Sequence, residues 1–146
     1  RKALNSLAIR RRQLRSDGAW CFSDEANYYA DRVLESLSDS SAVVPPIWHL
    51  EGINVLITAE RIGRLNEADS MRFIALLNQL PIQVEPPPPA ESLMAGILPV
   101  SRQYGLTSYD ASYLHLAMRN GIALAALDEK LMTAAKKAKV ALWERK

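Results

Sequence analysis

The clearest pattern of apolar and polar positions lies between residues 106 and 131 and predicts a helix, a tight turn, a strand and the start of a second helix. Ser108 is a residue type that caps helices, and apolar and aromatic residues then recur on one helical face until Asn120-Gly121 ends the helix. The next six residues, Ile122–Leu127, are all apolar, which is typical of a strand buried on both faces.

Two acidic residues, Asp110 and Asp128, flank this helix and strand and are eighteen positions apart. A helix of about twelve residues is roughly 18 Å long, and a strand of about six residues is roughly 20 Å long. Because the chain reverses at the turn between the two, the start of the helix returns beside the far end of the strand. We therefore expect both carboxylates at one edge of a sheet.

The remaining chain alternates between helical and strand patterns, apart from its first eighteen residues. Strands that alternate with helices predict an α/β domain in which right-handed crossovers build a parallel sheet with helices on both faces. Pro45-Pro46 ends the first strand pattern, and Pro99 interrupts one of the helical patterns. Further helical patterns cover residues 23–37, 49–64, 66–80, 90–104 and 128–140, and strand patterns cover residues 42–44, 82–85 and 141–144.

Composition is that of one globular domain. The chain has 146 residues, of which 49% are hydrophobic and 23% charged. Cys21 is the single cysteine, which excludes an internal disulfide and fits a reducing compartment. No apolar run approaches the roughly 20 residues that span a bilayer, and no signal peptide is apparent, so we expect a cytoplasmic protein.

Charge is distributed unevenly. Residues 1–16 contain six basic and no acidic residues, so the rest of the chain carries twelve bases against sixteen acids. The pattern divides the chain into a basic, atypical segment (residues 1–18) and a domain (residues 19–146). Leu7, Ala8 and Ile9 are compatible with part of a helix, whereas residues 10–18 are too polar for a buried strand. The basic segment is either a phosphate-binding arm or a solvated terminus.

A third acid is expected near the first two. Open α/β sheets place their sites outside the carboxyl ends of the strands, and Glu51 falls in the first predicted turn of the helix that leaves residues 42–44. Clustered carboxylates repel one another unless a cation relieves them, and oxygen ligands suit Mg²⁺ or Mn²⁺. Taken singly, an acid in a first helical turn is more often a helix cap or dipole partner than a ligand, but three acids at one sheet edge favour a site. Further oxygen donors in these segments are Asn54, Thr107 and Ser108.

Four segments together carry a family resemblance: AWCFSDEANYYADRVLESL, VVPPIWHLEGINVL with its Trp-x-x-Glu-x-x-Asn pattern, GLTSYDASYLHLA and ALAALDEKL. Through them, the chain from about residue 19 to 143 resembles a PIN domain and, within that fold, the VapC-type toxins of type II toxin-antitoxin pairs. The resemblance implies a three-layer fold and a Mg²⁺- or Mn²⁺-dependent endoribonuclease. Such enzymes cut structured RNA such as tRNA, are inhibited by a cognate antitoxin and usually form homodimers.

The resemblance also assigns roles to individual residues. Glu51, Asp110 and Asp128 would be the catalytic and metal-binding acids, with Thr107 or Ser108 as supporting polar neighbours. The alternative is a catalytically impaired, PIN-like interaction protein that binds an antitoxin or dimerises without cutting RNA.

One departure from the family pattern concerns the first strand. The family places an apolar strand and an Asp-x-Ser motif where this chain has Gln13, so the sequence predicts neither a central strand nor its acid here. Residues 9–17 can be back-translated so that the second frame reads Phe-Val-Val-Asp-Ser-Ser-Val-Ala-Met. We therefore hypothesise that residues up to about Gly18 derive from a shifted reading frame, which the codons of the gene would test.

Overall fold

The architecture is a mixed α/β domain, seen in a computed structural model that describes residues 6–9, 32 and 35–143. Its strands form one parallel sheet in the order β3-β2-β1-β4, which confirms the predicted α/β class and the parallel pairing. The strands are β1 (Ser6–Ile9), β2 (Ser41–Val44), β3 (Ile82–Val84) and β4 (Ala123–Ala125). The helices that follow them in the described chain are α1 (Ile47–Arg61), α2 (Glu67–Leu77), α3 (Ala90–Tyr104), α4 (Ser108–Asn120) and α5 (Glu129–Lys137).

The strand in the middle of the sheet is β1, where the sequence predicted no strand. Leu7 pairs with Ala42 of β2 on one side and with Ala123 of β4 on the other. The expectation of a missing central strand is therefore wrong, as is the helical interpretation of residues 7–9. Pairing on both sides decides the conformation of so short a segment, because strand formation depends more on its neighbours than on its own composition. The boundary proposed between residues 18 and 19 lies outside the described residues.

The predicted unit of helix, turn and strand is present as α4 and β4, with two differences. Thr107, not Ser108, is the N-cap of α4, and Gly121 ends the helix with a left-handed φ of 60°. The strand covers three residues where six were predicted. Asp128 therefore lies three positions beyond the end of β4 instead of directly after it.

The other helices and strands lie close to their predicted positions. Helix α3 has the predicted bounds, but it continues through Pro99, where an interruption was predicted. Asn66 caps α2 through a capping box with Asp69. At the β4 edge, a single parallel bridge joins Leu124 to Leu142, so the predicted last strand is one bridge long. The helix predicted at residues 23–37 lies mostly outside the described residues.

Buried side chains form two clusters against the sheet. The larger one includes Trp48 of α1, Tyr113 of α4 and Leu124 of β4, and the smaller one includes Leu37 and Ala125. Helix α4 contacts β1, β4, α3 and α5 and is the best-buried helix among those described. None of the helices in the described ranges combines the length and the apolar character needed to cross a bilayer.

Candidate acidic site

Glu51 is held by a hydrogen bond from the buried tyrosine of another helix. The hydroxyl of Tyr113 on α4 donates to Oε1 of Glu51 on α1 over 2.6 Å, joining residues 62 positions apart. Tyr113 is fully buried, whereas Glu51 is partly exposed. Because a buried tyrosine hydroxyl needs a polar partner, this bond fixes the position of α1 on α4 at the level of the carboxylate.

The helix start that bears Glu51 differs from the prediction. Helix α1 begins at Ile47, directly after Pro46 at the N-cap position, and its first turn contains no acid. Glu51 is the fifth residue of the helix and so lies in its second turn. Proline fits the start of a helix because its fixed φ is helical and its missing N–H would have no partner there, and this early start moves the acid one turn inward.

Asp110 lies one helical turn before Tyr113, on the same side of α4. Its backbone N–H donates to Oγ1 of Thr107 at 3.2 Å, which completes the N-cap of the helix. Residues three apart in a helix are neighbours on its surface, so Asp110 and the Glu51 carboxylate both flank Tyr113. The first turn of α4 also stabilises a negative charge at this position. The structure thus links Glu51 by a hydrogen bond to the helix that bears Asp110, one turn after that acid.

Asp128 has a structural role at the start of the last helix. It is the N-cap of α5, and its Oδ1 accepts the backbone N–H of Leu131 at 2.9 Å. Its side chain is exposed and lines an open groove together with Lys130 and Lys137. Within residues 6–9, 32 and 35–143, no group of three or more His, Cys, Asp or Glu side chains could hold a metal ion, so Asp128 is not gathered with the other two acids into such a group.

The predicted polar neighbours are arranged unequally. Thr107 uses its hydroxyl to cap α4, and Ser108 is the exposed first residue of that helix. Asn54 is exposed and lies one turn after Glu51. Its backbone carbonyl accepts a hydrogen bond from the hydroxyl of Thr58 at 2.8 Å. Of these three residues, Thr107 is the one whose side-chain oxygen accepts a backbone hydrogen bond of α4.

Tyr113 is the site residue that the sequence did not predict, because it belongs to the apolar and aromatic face of the helix. The available signal was a tyrosine on the core-facing side of a helix, one turn after a candidate acid, since its hydroxyl must find a partner when buried.

The chain contains two histidines, His49 and His115. His49 is exposed, and His115 is half-buried where α4 packs on α3. Burial lowers the pKa of His115, the nearby Arg119 lowers it further, and Glu85 opposes the shift. Neither histidine belongs to a metal-binding group in the described chain.

Comparison with known proteins identifies a shared fold. No family model matches the chain, and no curated protein matches it. The crystal structure of PAE2754 from Pyrobaculum aerophilum is similar with a TM-score of 0.60 and 23% sequence identity, over 91% of this chain and 86% of that chain. At this level of identity the likeness shows that the two chains share a fold, and it covers nearly the whole of both.

Proposed function

We propose that this protein is a PIN-like, VapC-type endoribonuclease that hydrolyses RNA phosphodiester bonds at the site around Glu51 and Asp110. The observation that carries the proposal is the 2.6 Å hydrogen bond from Tyr113 to Glu51, because it joins Glu51 to the helix that bears Asp110, one turn after that acid. These are two of the three acids that the family resemblance selects.

The proposed fold is the three-layer PIN arrangement, with helices on both faces of the sheet. Leu124 and Ala125 are adjacent in β4, so their side chains point to opposite faces of the sheet. Both are buried, and each belongs to a different hydrophobic cluster. Apolar cover on both faces is what a three-layer domain requires.

Mg²⁺ or Mn²⁺ is the proposed cofactor. Mg²⁺ is usually bound by one or two carboxylates together with water and substrate phosphates, so the pair formed by Glu51 and Asp110 is a suitable donor set. When bound, such an ion lowers the pKa of water and stabilises charge on a phosphate. Asp128 would complete the site or orient water from the rim of the adjacent groove.

The chain's own groups prepare the two acids for this role. The hydroxyl of Tyr113 donates to Oε1 of Glu51 and so limits the orientations of that carboxylate. The backbone N–H of Asp110 donates to Oγ1 of Thr107, which orders the first turn of α4 that bears this acid. Both acids are therefore carried by ordered helical positions.

A second candidate is a PIN-like interaction protein that binds an antitoxin or a second copy without cutting RNA. It is favoured by Gln13, because no acid stands where the family pattern has one. An exposed apolar stripe on α1 also suits a protein partner: Leu50, Ile53 and Ile57 are exposed by 63%, 47% and 39%. A cognate antitoxin, a homodimer and a cytoplasmic location are parts of both proposals.

Cleavage of tRNA by the purified chain in Mg²⁺ or Mn²⁺ tests the enzyme proposal. We expect Asp110→Asn to lower the cleavage rate by at least about a hundredfold, the scale on which single catalytic groups act. Glu91→Gln is the matched control, since Glu91 is an exposed first-turn acid of α3. Equal cleavage by Asp110→Asn and wild type would refute the site, and no cleavage by any of the three would favour the interaction protein.

A further inference from the structure

An open groove of about 720 Å³ lies along α5, beside Asp128. Its polar lining comes mainly from one face of that helix, and the end of α3 closes the other side. Because Asp128 lines the groove and also belongs to the proposed site, anything bound in the groove would extend toward that acid. The lining residues are Tyr104, Leu127, Asp128, Glu129, Lys130, Thr133, Ala134 and Lys137.

Two lysines of the groove are aligned along α5. Lys130, Thr133 and Lys137 follow one another at the spacing of a single helical face. A helix rises about 1.5 Å per residue, so the two lysine positions are about 10 Å apart along the axis. Lys130 extends toward the turn between α3 and α4, where a Cβ built on Gly105 would be 4.0 Å from its Cε.

The charges of these lysines are not neutralised by the described part of the chain. No carboxylate among the described residues lies within 4.0 Å of Lys130 or Lys137. The acids of the groove, Asp128 and Glu129, are confined to the start of α5. An anionic ligand would therefore contact the lysines along the helix and end near Asp128.

Tyr104 and Thr133, which also line the groove, favour single-stranded RNA over a simple phosphate ion. Single-stranded nucleic acid is bound by basic grooves that follow the backbone and by aromatic rings on which bases stack. Tyr104 lines the groove and is half-buried, so it presents a ring with a fixed position. The exposed hydroxyl of Thr133 lies between the lysines and can bond a phosphate or a ribose hydroxyl. An inorganic phosphate ion would use the lysines and leave the ring without a role.

We propose that this groove binds the sugar-phosphate backbone of single-stranded RNA, with Lys130 and Lys137 contacting phosphates and Tyr104 stacking on a base. The inference rests on the proposed ribonuclease function and identifies an RNA-binding surface that contains one of the three candidate acids, Asp128. It does not depend on hydrolysis, so binding and cutting can be measured separately.

The test is fluorescence anisotropy of a labelled single-stranded RNA of about twelve nucleotides, titrated with the full chain in EDTA at several salt concentrations. Each lysine that neutralises a phosphate adds about 0.7 to the slope of log K against log salt for a single strand. We therefore expect Lys130→Ala/Lys137→Ala to flatten the slope by about 1.4. The variant Lys130→Arg/Lys137→Arg should restore it.

The control variant removes two positive charges from the same region outside the groove. Lys136 lies in α5 but does not line the groove, and Lys139 has a positive φ of 58° that glycine adopts without strain. We expect Lys136→Ala/Lys139→Gly to change the slope by less than half as much. Equal changes in both double variants, or no RNA binding by the wild type, would overturn the inference.

Two further measurements separate this inference from the proposed function. Asp110→Asn should bind the RNA as wild type does and fail to cut it in Mg²⁺. If the protein did not cut RNA but bound it through Lys130 and Lys137, the inference would stand and the proposed function would fail. If Lys130→Ala/Lys137→Ala cut RNA as fast as wild type, the inference would fail and the proposed function would stand. Inorganic phosphate can be added at the same concentration as the phosphate groups of the RNA. If it displaced the RNA, the groove would be a simple anion site, and the inference would be overturned.

Discussion

The hydroxyl of Tyr113 lies 2.6 Å from the carboxylate of Glu51, and this hydrogen bond from a buried donor joins two helices. Replacing Tyr113 with phenylalanine removes the donor and preserves the ring. Hydrogen bonds to charged groups contribute about 1.5–3 kcal/mol, and partial exposure of Glu51 places the expected loss in the free energy of unfolding at the lower end of that range. Urea denaturation measures the loss, and the same variant should cut RNA more slowly because Glu51 is no longer oriented.

Tyr109→Phe is the control for this prediction. Tyr109 lies on the same helix and is 49% exposed, so removal of its hydroxyl should leave stability within about 0.5 kcal/mol of wild type. If Tyr113→Phe and Tyr109→Phe unfolded at the same urea concentration and cut RNA at the same rate, the bond to Glu51 would contribute neither to stability nor to cleavage.

Asp128 combines a cap with a proposed chemical role, and two substitutions separate them. Asp128→Ala removes the acceptor for the N–H of Leu131 and should lower the free energy of unfolding by about 1 kcal/mol. Asp128→Ser supplies another good capping oxygen and no carboxylate, so its stability should stay near that of wild type. RNA cleavage by the serine variant then reports on the carboxylate alone. Wild-type cleavage by Asp128→Ser would reduce Asp128 to a helix cap.

Local patterns explain which parts of the fold the sequence could predict. The end of α4 at Gly121 depends on residues within a few positions of each other, and it was predicted. The choice between Thr107 and Ser108 as the cap of α4 was wrong by one residue, because both side chains are suitable and the backbone decides between them. The start of α1 was wrong for a related reason, since Pro46 extends that helix toward its strand.

Features that depend on partners distant in the sequence were harder to predict. The four residues of β1 contain no strong strand signal, and only their pairing with both β2 and β4 makes them a strand. The meeting of Asp110 with Asp128 was predicted from a strand of six residues, and β4 spans three. The hydrogen bond from Tyr113 to Glu51 joins residues 62 positions apart, a contact that no local pattern encodes.

His115 should make stability depend on pH below neutrality. Burial and Arg119 lower its pKa in the folded protein from the ordinary value of 6.5, so the unfolded chain takes up the proton more readily. Stability from this residue is complete above about pH 6.5 and falls as the pH drops from there toward the folded pKa. His115→Gln should therefore lose less stability than wild type between pH 7 and pH 5 in urea denaturation. The ion pair between Arg119 and Glu85 is present in wild type and in His115→Gln, so its own pH dependence cancels in the comparison. If the free energy of unfolding changed with pH equally in the two proteins, the prediction would be contradicted.

The position of β1 predicts that the sheet depends on the first residues of the chain. Deleting residues 1–9 would leave β2 and β4 without the strand that both pair with, so their facing backbone groups would lose their hydrogen-bond partners. We expect this deletion to abolish the cooperative urea transition followed by tryptophan fluorescence, since Trp48 is buried in the main cluster. Deleting residues 1–5 leaves β1 intact and should preserve the transition. If the longer deletion unfolded cooperatively at the same midpoint, β1 would not be the central strand, and the domain would begin after the basic segment.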